Sequence, residues 1–386
     1  MAAFLPWTTP LAGPWRAALD LAGGSLRFSI EVDAGAPPLS ARLCNGAACQ
    51  PFSAVRTLGD TVIFELADYA AAIRAVRHGD SLVGAYSNVG IRGPRTIPFR
   101  AATGRWPPVP GGPLLVGTWD AWFGAEGRQT PRVLEIHNTK DGLSGTVLSN
   151  SGDYGAFWGE ASGTRFSLGH FDGSFVYLLT GELVGDTLRG VFHAGLRSQT
   201  PFMATRNRGG SPLKPPTEVT TADTTAPFQF AFPDLAGAVV TNQDHRFQGK
   251  VVMVDIFGTW CPNCHDAAPT LMELYRAYHA RGFEVVSLAY EVTGDPVVDE
   301  ELVRRFRDKF GIPWPILLAG VSDPELTAAT LPQLEGFGAY PTLLFLDRSG
   351  RIRRIHAGFY GPATGAQFTK LRADLHSYVE KLLAED

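Results

Sequence analysis

The four cysteines of this chain occur as two close pairs, Cys44 with Cys49 and Cys261 with Cys264. Two thiols at such short spacing can form a disulfide, exchange one with another molecule, or share a metal ion. The second pair lies in the run Trp260-Cys-Pro-Asn-Cys264, with two residues between the thiols. The sequence therefore points to thiol redox chemistry or metal binding at Cys261 and Cys264 before it points to simple packing.

The second pair stands where a buried strand gives way to a helix. Residues 250–257 form a continuously apolar run, and residues 264–281 have helical spacing of apolar side chains. A thiolate at the start of a helix is stabilised by the helix dipole and by free backbone N–H groups. Cys261 is therefore the candidate nucleophile, and Cys264, one turn further on, is the candidate resolving thiol.

Three other uses of Cys261 and Cys264 remain open. A structural zinc site needs four ligands, and no second Cys/His pair follows at a usable spacing, so zinc would require all four cysteines together. A Cu(I) site on the two thiolates lacks a Met-rich or His-rich companion segment. An inert structural disulfide is the third alternative. The helix-start position favours redox chemistry over each of them.

The elements that would position this pair follow one another as strands and helices after residue 226. We predict strands at 250–257, 284–290, 342–346 and 351–355, and helices at 264–281, 300–310 and 364–383. This order is typical of an α/β domain built around a partly parallel sheet.

The N-terminal region has a different pattern. It consists of many short segments in which apolar and polar residues alternate, separated by Gly and Asn turns. Three anchors recur in the same order at almost constant spacing: Gly13-Pro-Trp15 and Gly117-Thr-Trp119, Asp80–Tyr86 and Asp186–Phe192, and Pro98-Phe99 and Pro201-Phe202. We predict a mostly-β region of two similar repeats, each part of a sandwich or barrel. The Ala-rich stretch 68–76 is the one predicted short helix there.

A Pro- and Gly-rich stretch followed by a Thr-rich one separates the two regions. Pro and Gly interrupt helices and strands, and the polar residues favour a solvent-exposed segment. A weaker Pro-Gly break divides the N-terminal region near residue 106. We therefore predict β-rich repeats at 1–106 and 107–212, a linker at 213–226 and an α/β domain at 227–386.

Composition narrows the functional classes. The chain has 386 residues, of which 45% are hydrophobic and 19% charged, with a formal net charge of −4. That charge balance gives no electrostatic basis for nucleic acid or an anionic membrane surface as a partner. No apolar run reaches the length of a transmembrane helix, and the first residues lack a charged segment followed by an apolar one.

Residues from about 227 to 386 resemble the TlpA/ResA branch of thioredoxin-like protein disulfide oxidoreductases. The motifs that carry the resemblance are Phe230-Ala-Phe-Pro-Asp-Leu235, Gly249-Lys-Val-Val252, Gly258-Thr-Trp-Cys-Pro-Asn-Cys264 and Tyr340-Pro-Thr342. The later runs 331–337 and 355–365 are similar to one subgroup with a β-rich N-terminal extension. The resemblance implies a thioredoxin-like fold and a thiol-disulfide exchange activity without a cofactor.

The resemblance also implies roles for two acids. Asp255 matches the buried acid beneath the active site of many thioredoxins, where a desolvated carboxyl can accept the proton of Cys264. Its alternative is a strand-edge carboxylate hydrogen-bonded to backbone. Glu291 matches a glutamate that lies near the disulfide in ResA-like reductases and helps to handle protons. Its alternative is a solvated loop glutamate.

Three further residues would contact the substrate. Pro341 matches the cis-proline that faces the dithiol in this fold, where it presents the backbone of Tyr340 to the substrate chain and keeps metals off the thiols. Trp260 would form an apolar rim for docking, with ordinary core packing as its alternative.

The pair Cys44 and Cys49 brackets an Asn-Gly turn, which favours a local structural disulfide over a second redox relay or two free thiols.

We therefore expect a reductase of protein disulfides, with an oxidase or isomerase using the same residues as the alternative. The expected partners are a disulfide-containing protein substrate and a membrane-bound thiol-disulfide electron donor, with no metal and no nucleic acid. The expected location is the bacterial periplasm or cell envelope, with a targeting segment missing from this sequence. A cytosolic location is the alternative.

Overall fold

The computed structural model describes residues 11–35, 38–90, 93–109 and 111–385, and the chain divides into two compact units. The first unit comprises the described residues up to Val89, with Pro94–Val147 and Ala156–Gly210. The second comprises Leu148–Gly155 and the chain from Ser211, with Gly90 and Gly93.

The first unit begins with an antiparallel sheet of nine strands, in the order β4-β3-β2-β1-β9-β8-β7-β6-β5. The strands are β1 Gly13–Leu21, β2 Gly24–Val32, β3 Ala41–Asn45, β4 Ala48–Pro51, β5 Ala54–Leu58, β6 Thr61–Leu66, β7 Ala71–His78, β8 Ser81–Gly90 and β9 Gly93–Thr103. Alternate residues of β2 are buried, because successive side chains of a strand point to opposite faces of the sheet.

The helix expected at residues 68–76 is wrong. The stretch forms a single 3-10 turn, Ala67–Tyr69, and then strand β7. Within β7, Ala71, Ile73 and Ala75 are buried while Arg74 points outward, a period of two residues. Pairing with β6 and β8 satisfies the backbone on both sides, and this tertiary pairing overrides the helical propensity of alanine.

A second antiparallel sheet follows, in the order β11-β10-β18-β17-β16-β15-β14-β12-β13. Its strands are β10 Gly117–Phe123, β11 Thr130–Thr139, β12 Gly142–Ser149, β13 Gly152–Asp153, β14 Phe157–Ser162, β15 Arg165–Phe171, β16 Val176–Val184, β17 Thr187–Ala194 and β18 Ser198–Arg206. An additional pairing of β11 with β12 closes eight of these strands into a barrel. The first sheet, over its described strands, has no such closing pair.

The two sheets are built on one plan, as the sequence anchors predict. The first strand of each sheet pairs with both the second strand and the last, β1 with β2 and β9, and β10 with β11 and β18. The buried Trp15 donates its indole N–H to the carbonyl of Leu11 at 2.9 Å, and Trp119 does the same to Leu115 at 2.9 Å. The predicted mostly-β N-terminal region is confirmed, with one repeat as a closed barrel and the other as an open sheet.

The second unit is an α/β domain. Its strands are β19 Thr221–Ala222, β20 Ala231–Pro233, β21 Val239–Thr241, β22 Val251–Phe257, β23 Phe283–Glu291, β24 Ile316–Val321, β25 Leu334–Glu335, β26 Thr342–Leu346 and β27 Ile352–Ala357. Its helices are α1 Pro262–Tyr278, α2 Pro296–Phe310, α3 Pro324–Thr330 and α4 Ala366–Ala384, with 3-10 turns at His279–Arg281 and Pro362–Thr364. Among the described residues, no helix is both long and apolar enough to cross a membrane.

The central sheet of this domain has the order β24-β23-β22-β26-β27. Strands β22, β23 and β24 are parallel, whereas β26 and β27 run antiparallel to their neighbours. Every residue of β22 and β23 is buried, because one hydrophobic cluster covers each face of the sheet. Helix α2 begins at Pro296, earlier than predicted, since the Asp295 side chain accepts hydrogen bonds from the first backbone N–H groups.

Cys44 and Cys49 form a disulfide between β3 and β4, where the two residues are directly opposite each other. The bond spans a sequence separation of five residues and lies in the first unit. A cross-link over so short a loop removes little entropy from the unfolded chain, so its stabilising effect is modest.

Replacing both cysteines, Cys44→Ala with Cys49→Ala, should lower the free energy of unfolding of the first unit by about 2 kcal/mol. Urea unfolding measures the change. A reductant that opens the bond should produce the same loss in the wild-type protein and no loss in the double variant. Equal stability of wild type and double variant without reductant would contradict the prediction.

Candidate active site

The two remaining cysteines lie at the start of helix α1, directly after the loop that follows β22. Cys261 is the N-cap residue, and Pro262 occupies the first helical position, where the missing N–H of proline costs nothing. Both thiols are free, and they are 4% and 2% exposed for Cys261 and Cys264 respectively. No side chain caps this helix end, and the backbone N–H groups of Cys264 and His265 donate to the carbonyl of Cys261 at 3.0 and 3.3 Å.

The residues expected to contact substrate, Tyr340, Pro341 and Trp260, lie next to Cys261. Its thiol donates a hydrogen bond to the carbonyl of Tyr340 at 3.4 Å, and the Tyr340–Pro341 peptide bond is cis. The half-buried Trp260 meets the ring of Tyr340 edge-on, with centroids 5.4 Å apart. The indole N–H of Trp260 donates to the carbonyl of Tyr290 at 2.9 Å. Trp260 therefore both packs against the domain and borders the dithiol.

Cys264 lies deeper than Cys261, and its surroundings disfavour a negative charge. Burial raises the pKa of the Cys264 thiol well above its usual range, and the neighbouring Cys261 and the charge of Asp255 raise it further. Cys264 consequently keeps its proton until a nearby group accepts it.

Asp255, whose charge contributes to this shift, lies in the middle of β22. It is 5% exposed, and burial raises its pKa to about 7, partly opposed by the hydroxyl of Ser287, which donates to Oδ2 at 2.9 Å. The indole of Trp314 in turn donates to the Ser287 hydroxyl at 2.9 Å. Because β22 is the central strand, the alternative of a strand-edge carboxylate does not describe Asp255.

Glu291 ends the neighbouring strand β23 and is 2% exposed, so it is not a solvated loop residue. Thr259 holds both of its oxygens, through the backbone N–H at 2.8 Å and the side-chain hydroxyl at 2.7 Å. Burial nevertheless raises the pKa of Glu291 to about 7. Thr259 stands two residues before Cys261, so Glu291 fixes the loop that leads into the dithiol.

Sequence reasoning did not anticipate Thr259, Ser287 or Trp314 as site residues. No motif marks them, since each acts only through a partner that is distant in sequence. Asn263, between the two cysteines, also has distant partners, the carbonyls of Asp153 and Phe359. Among the residues that the structure describes, no three His, Cys, Asp or Glu side chains are grouped as a metal site requires.

Comparisons with known proteins agree with this geometry. The Redoxin family profile matches residues 221–373. The thiol-disulfide oxidoreductase ResA of Geobacillus thermodenitrificans is 31% identical over 129 residues, which are 33% of this chain and 67% of the relative. That of Geobacillus kaustophilus is 31% identical over 134 residues, 35% of this chain and 68% of the relative. The chain belongs to the ResA family of thiol-disulfide oxidoreductases.

As a member of this family, the protein is a thiol-disulfide oxidoreductase with a thioredoxin-like C-terminal domain. The matched region contains Cys261, Cys264, Asp255, Glu291 and Pro341, and none of the strands β1–β18. Among solved structures, a thiol:disulfide interchange protein from Chlorobium tepidum is 24% identical, with a TM-score of 0.32, over 42% of this chain and 97% of that one.

The raised pKa values of Asp255 and Glu291 predict a pH-dependent stability. Unfolded carboxyls ionise near their ordinary values of 3.8 and 4.5, whereas the buried ones hold their protons until about pH 7. The folded state therefore binds more protons in this window, and stability should fall as the pH rises from about 4 to 7, on the order of 3 kcal/mol per group.

The variant Asp255→Asn should remove its share of this slope, as measured by urea unfolding of the reduced enzyme across the same pH range. Glu335→Gln, at an exposed carboxylate of the same domain, serves as the matched control and should keep the wild-type slope. An unchanged slope in Asp255→Asn would show that Asp255 ionises at its ordinary pH.

Proposed function

We propose that this enzyme reduces disulfides in protein substrates through the dithiol of Cys261 and Cys264. The thiolate of Cys261 attacks one sulfur of the substrate disulfide. A Cys261–substrate bond forms, the substrate S–S bond breaks, and the other substrate sulfur leaves as a thiolate. The position of Cys261 at the start of α1, with its Sγ beside the carbonyl of Tyr340, supports its role as the attacking thiol.

Cys264 then resolves the mixed disulfide. Its sulfur attacks Sγ of Cys261, the bond from Cys261 to the substrate breaks, and the second substrate sulfur leaves. The enzyme ends as a Cys261–Cys264 disulfide, and the substrate has gained two electrons and two protons. The neighbouring positions of the two cysteines in the first turn of α1 support this order of events.

The proton of Cys264 would pass to Asp255, whose pKa of about 7 suits a general base near neutral pH. Glu291 would be a second proton-handling group and would keep the Thr259 loop in place. The substrate chain would lie against Trp260 and pair with the backbone of Tyr340 beside Pro341, as an added strand does.

The buried Cys264 is the single observation that carries the reducing direction. A dithiol becomes a strong oxidant when its reduced form is stabilised as a thiolate. Here burial and the charge of Asp255 disfavour the thiolate of Cys264, so this thiol contributes no such stabilisation to the reduced form. The enzyme should therefore give up its electrons readily. A stabilised dithiol would instead indicate an oxidase or isomerase.

The Cys44–Cys49 disulfide supports an oxidising compartment, since structural disulfides persist in the periplasm and cell envelope and are rare in the cytosol. We propose that location, with a membrane-bound dithiol protein as the donor that reduces the Cys261–Cys264 disulfide after each turnover. Two electrons and two protons would then enter the enzyme by the same exchange in reverse.

Equilibration with glutathione tests the direction. We expect a reduction potential more negative than roughly −240 mV, the range of reducing thiol pools, together with turnover of insulin disulfides. A value near roughly −120 mV would assign the enzyme to the oxidases.

Three variants test the residue roles. Cys264→Ser should trap the substrate on Cys261 as a mixed disulfide, visible by mass spectrometry, and Cys261→Ser should trap none. Asp255→Asn should slow the resolution step by roughly 100-fold and remove its rise with pH near 7. Equal trapping on both serine variants would contradict the assigned order of attack.

A further inference from the structure

Asn263 links the dithiol to a segment far away in the sequence. Its side chain is 8% exposed although it lies in the first turn of α1. Nδ2 donates one hydrogen bond to the carbonyl of Asp153 at 3.0 Å and a second to the carbonyl of Phe359 at 3.1 Å. Both protons of the amide group are therefore used to hold backbone beside the active-site helix.

The segment that Asn263 holds is Leu148–Gly155, a part of the C-terminal unit. The carboxylate of Asp153 is buried and accepts hydrogen bonds from the backbone N–H groups of Gly361 at 2.5 Å and Gly155 at 2.8 Å. The hydroxyl of Tyr360 donates to the carbonyl of Ser149 at 3.3 Å. The segment is thus attached at several points along the chain that follows β27.

The segment Leu148–Gly155 packs so closely against Asn263 and the chain after β27 that no side chain fits at the centre of the contact. A Cβ on Gly152, whose φ is +116°, would lie 2.2 Å from Nδ2 of Asn263 and 2.5 Å from the carbonyl oxygen of Phe359. A Cβ on Gly358, with φ +79°, would lie 2.6 Å from the backbone of Ser151. Glycine is required at Gly152 and Gly358 because backbone meets backbone there.

We propose that Leu148–Gly155 is a substrate-selecting wall of the active site and that Asn263 is the positioning residue that attaches it. The wall covers the Asn263 side of the dithiol, so that a protein substrate reaches Cys261 only along Trp260 and the Tyr340–Pro341 backbone. Small disulfides need less room than folded protein loops. The wall therefore selects substrates by steric exclusion, as specificity against unwanted partners requires.

This inference rests on the proposed reduction of protein disulfides by Cys261. The low exposure of Cys261 fits it, since a residue that is 4% exposed has little open surface from which to be approached. The hydrogen bonds from Asn263 to backbone carbonyls would hold the wall in place at any protonation state of the dithiol, because neither partner is ionisable.

Single-turnover reactions of the fully reduced enzyme test the proposal, with insulin as the protein disulfide and Ellman's reagent as the small disulfide. Gly152→Ala should push the wall away from Asn263, and Asn263→Ala should release it by removing two hydrogen bonds. In both variants the ratio of the insulin rate to the small-disulfide rate should rise by at least about threefold.

Gly13→Ala is the matched control. Gly13 has φ +114°, so alanine there suffers the same backbone strain, but its Cβ would meet nothing within 4 Å. This control should leave the ratio at its wild-type value. Should Gly152→Ala fail to fold, Asn263→Ala decides the question alone.

An unchanged ratio in folded Asn263→Ala enzyme would overturn the proposal, and so would a fall in the insulin rate, since the segment would then bind substrate instead of excluding it. A different result would contradict the proposed function itself. In that case the wild-type enzyme would react with neither disulfide through Cys261.

Discussion

Desolvation of ionisable groups around the first turn of α1 is the constraint on which the chemistry of this enzyme depends. Cys264, Asp255 and Glu291 are all buried, and burial raises the pKa of each. The charge of Asp255 further disfavours the thiolate of Cys264 in this medium of low dielectric, so the ionisation of these two groups is linked. Oxidation of the two thiols to a disulfide relieves this constraint, since a disulfide carries no charge and binds no proton.

The architecture supplies that dry environment with few elements. Asp255 lies inside β22 and Glu291 at the end of β23, two strands that are buried along their whole length. The thiols stand just after β22, in the N-cap residue and the first turn of α1. Thr259, held by Glu291, and the Tyr340 carbonyl, which accepts from Cys261, position the dithiol from two directions. The central sheet and the residues next to its strand ends therefore carry every group that the proposed exchange uses.

The sequence predicted much of this site. The apolar run before Trp260 and the helical spacing after Cys264 gave the strand-to-helix position of the thiols, and the resemblance to the ResA branch pointed to Asp255, Glu291 and Pro341. The Pro-, Gly- and Thr-rich composition around residues 213–226 predicts a linker there. These features are local: a strand, a helix start and a turn each follow from the side chains of neighbouring residues.

Other features depend on which segments pair when the chain folds, and the residue pattern within one segment does not encode that pairing. Strand β7 formed in place of the expected helix because β6 and β8 pair with it. The sequence alone indicated thiol-disulfide chemistry, since two thiols at a helix start favour it, whereas the burial that raises the pKa of Cys264 and Asp255 arises only on folding. Only the tertiary structure decided which backbone meets Asn263, because the hydrogen bond from Nδ2 to Asp153 joins residues separated by 110 positions and arises only on folding.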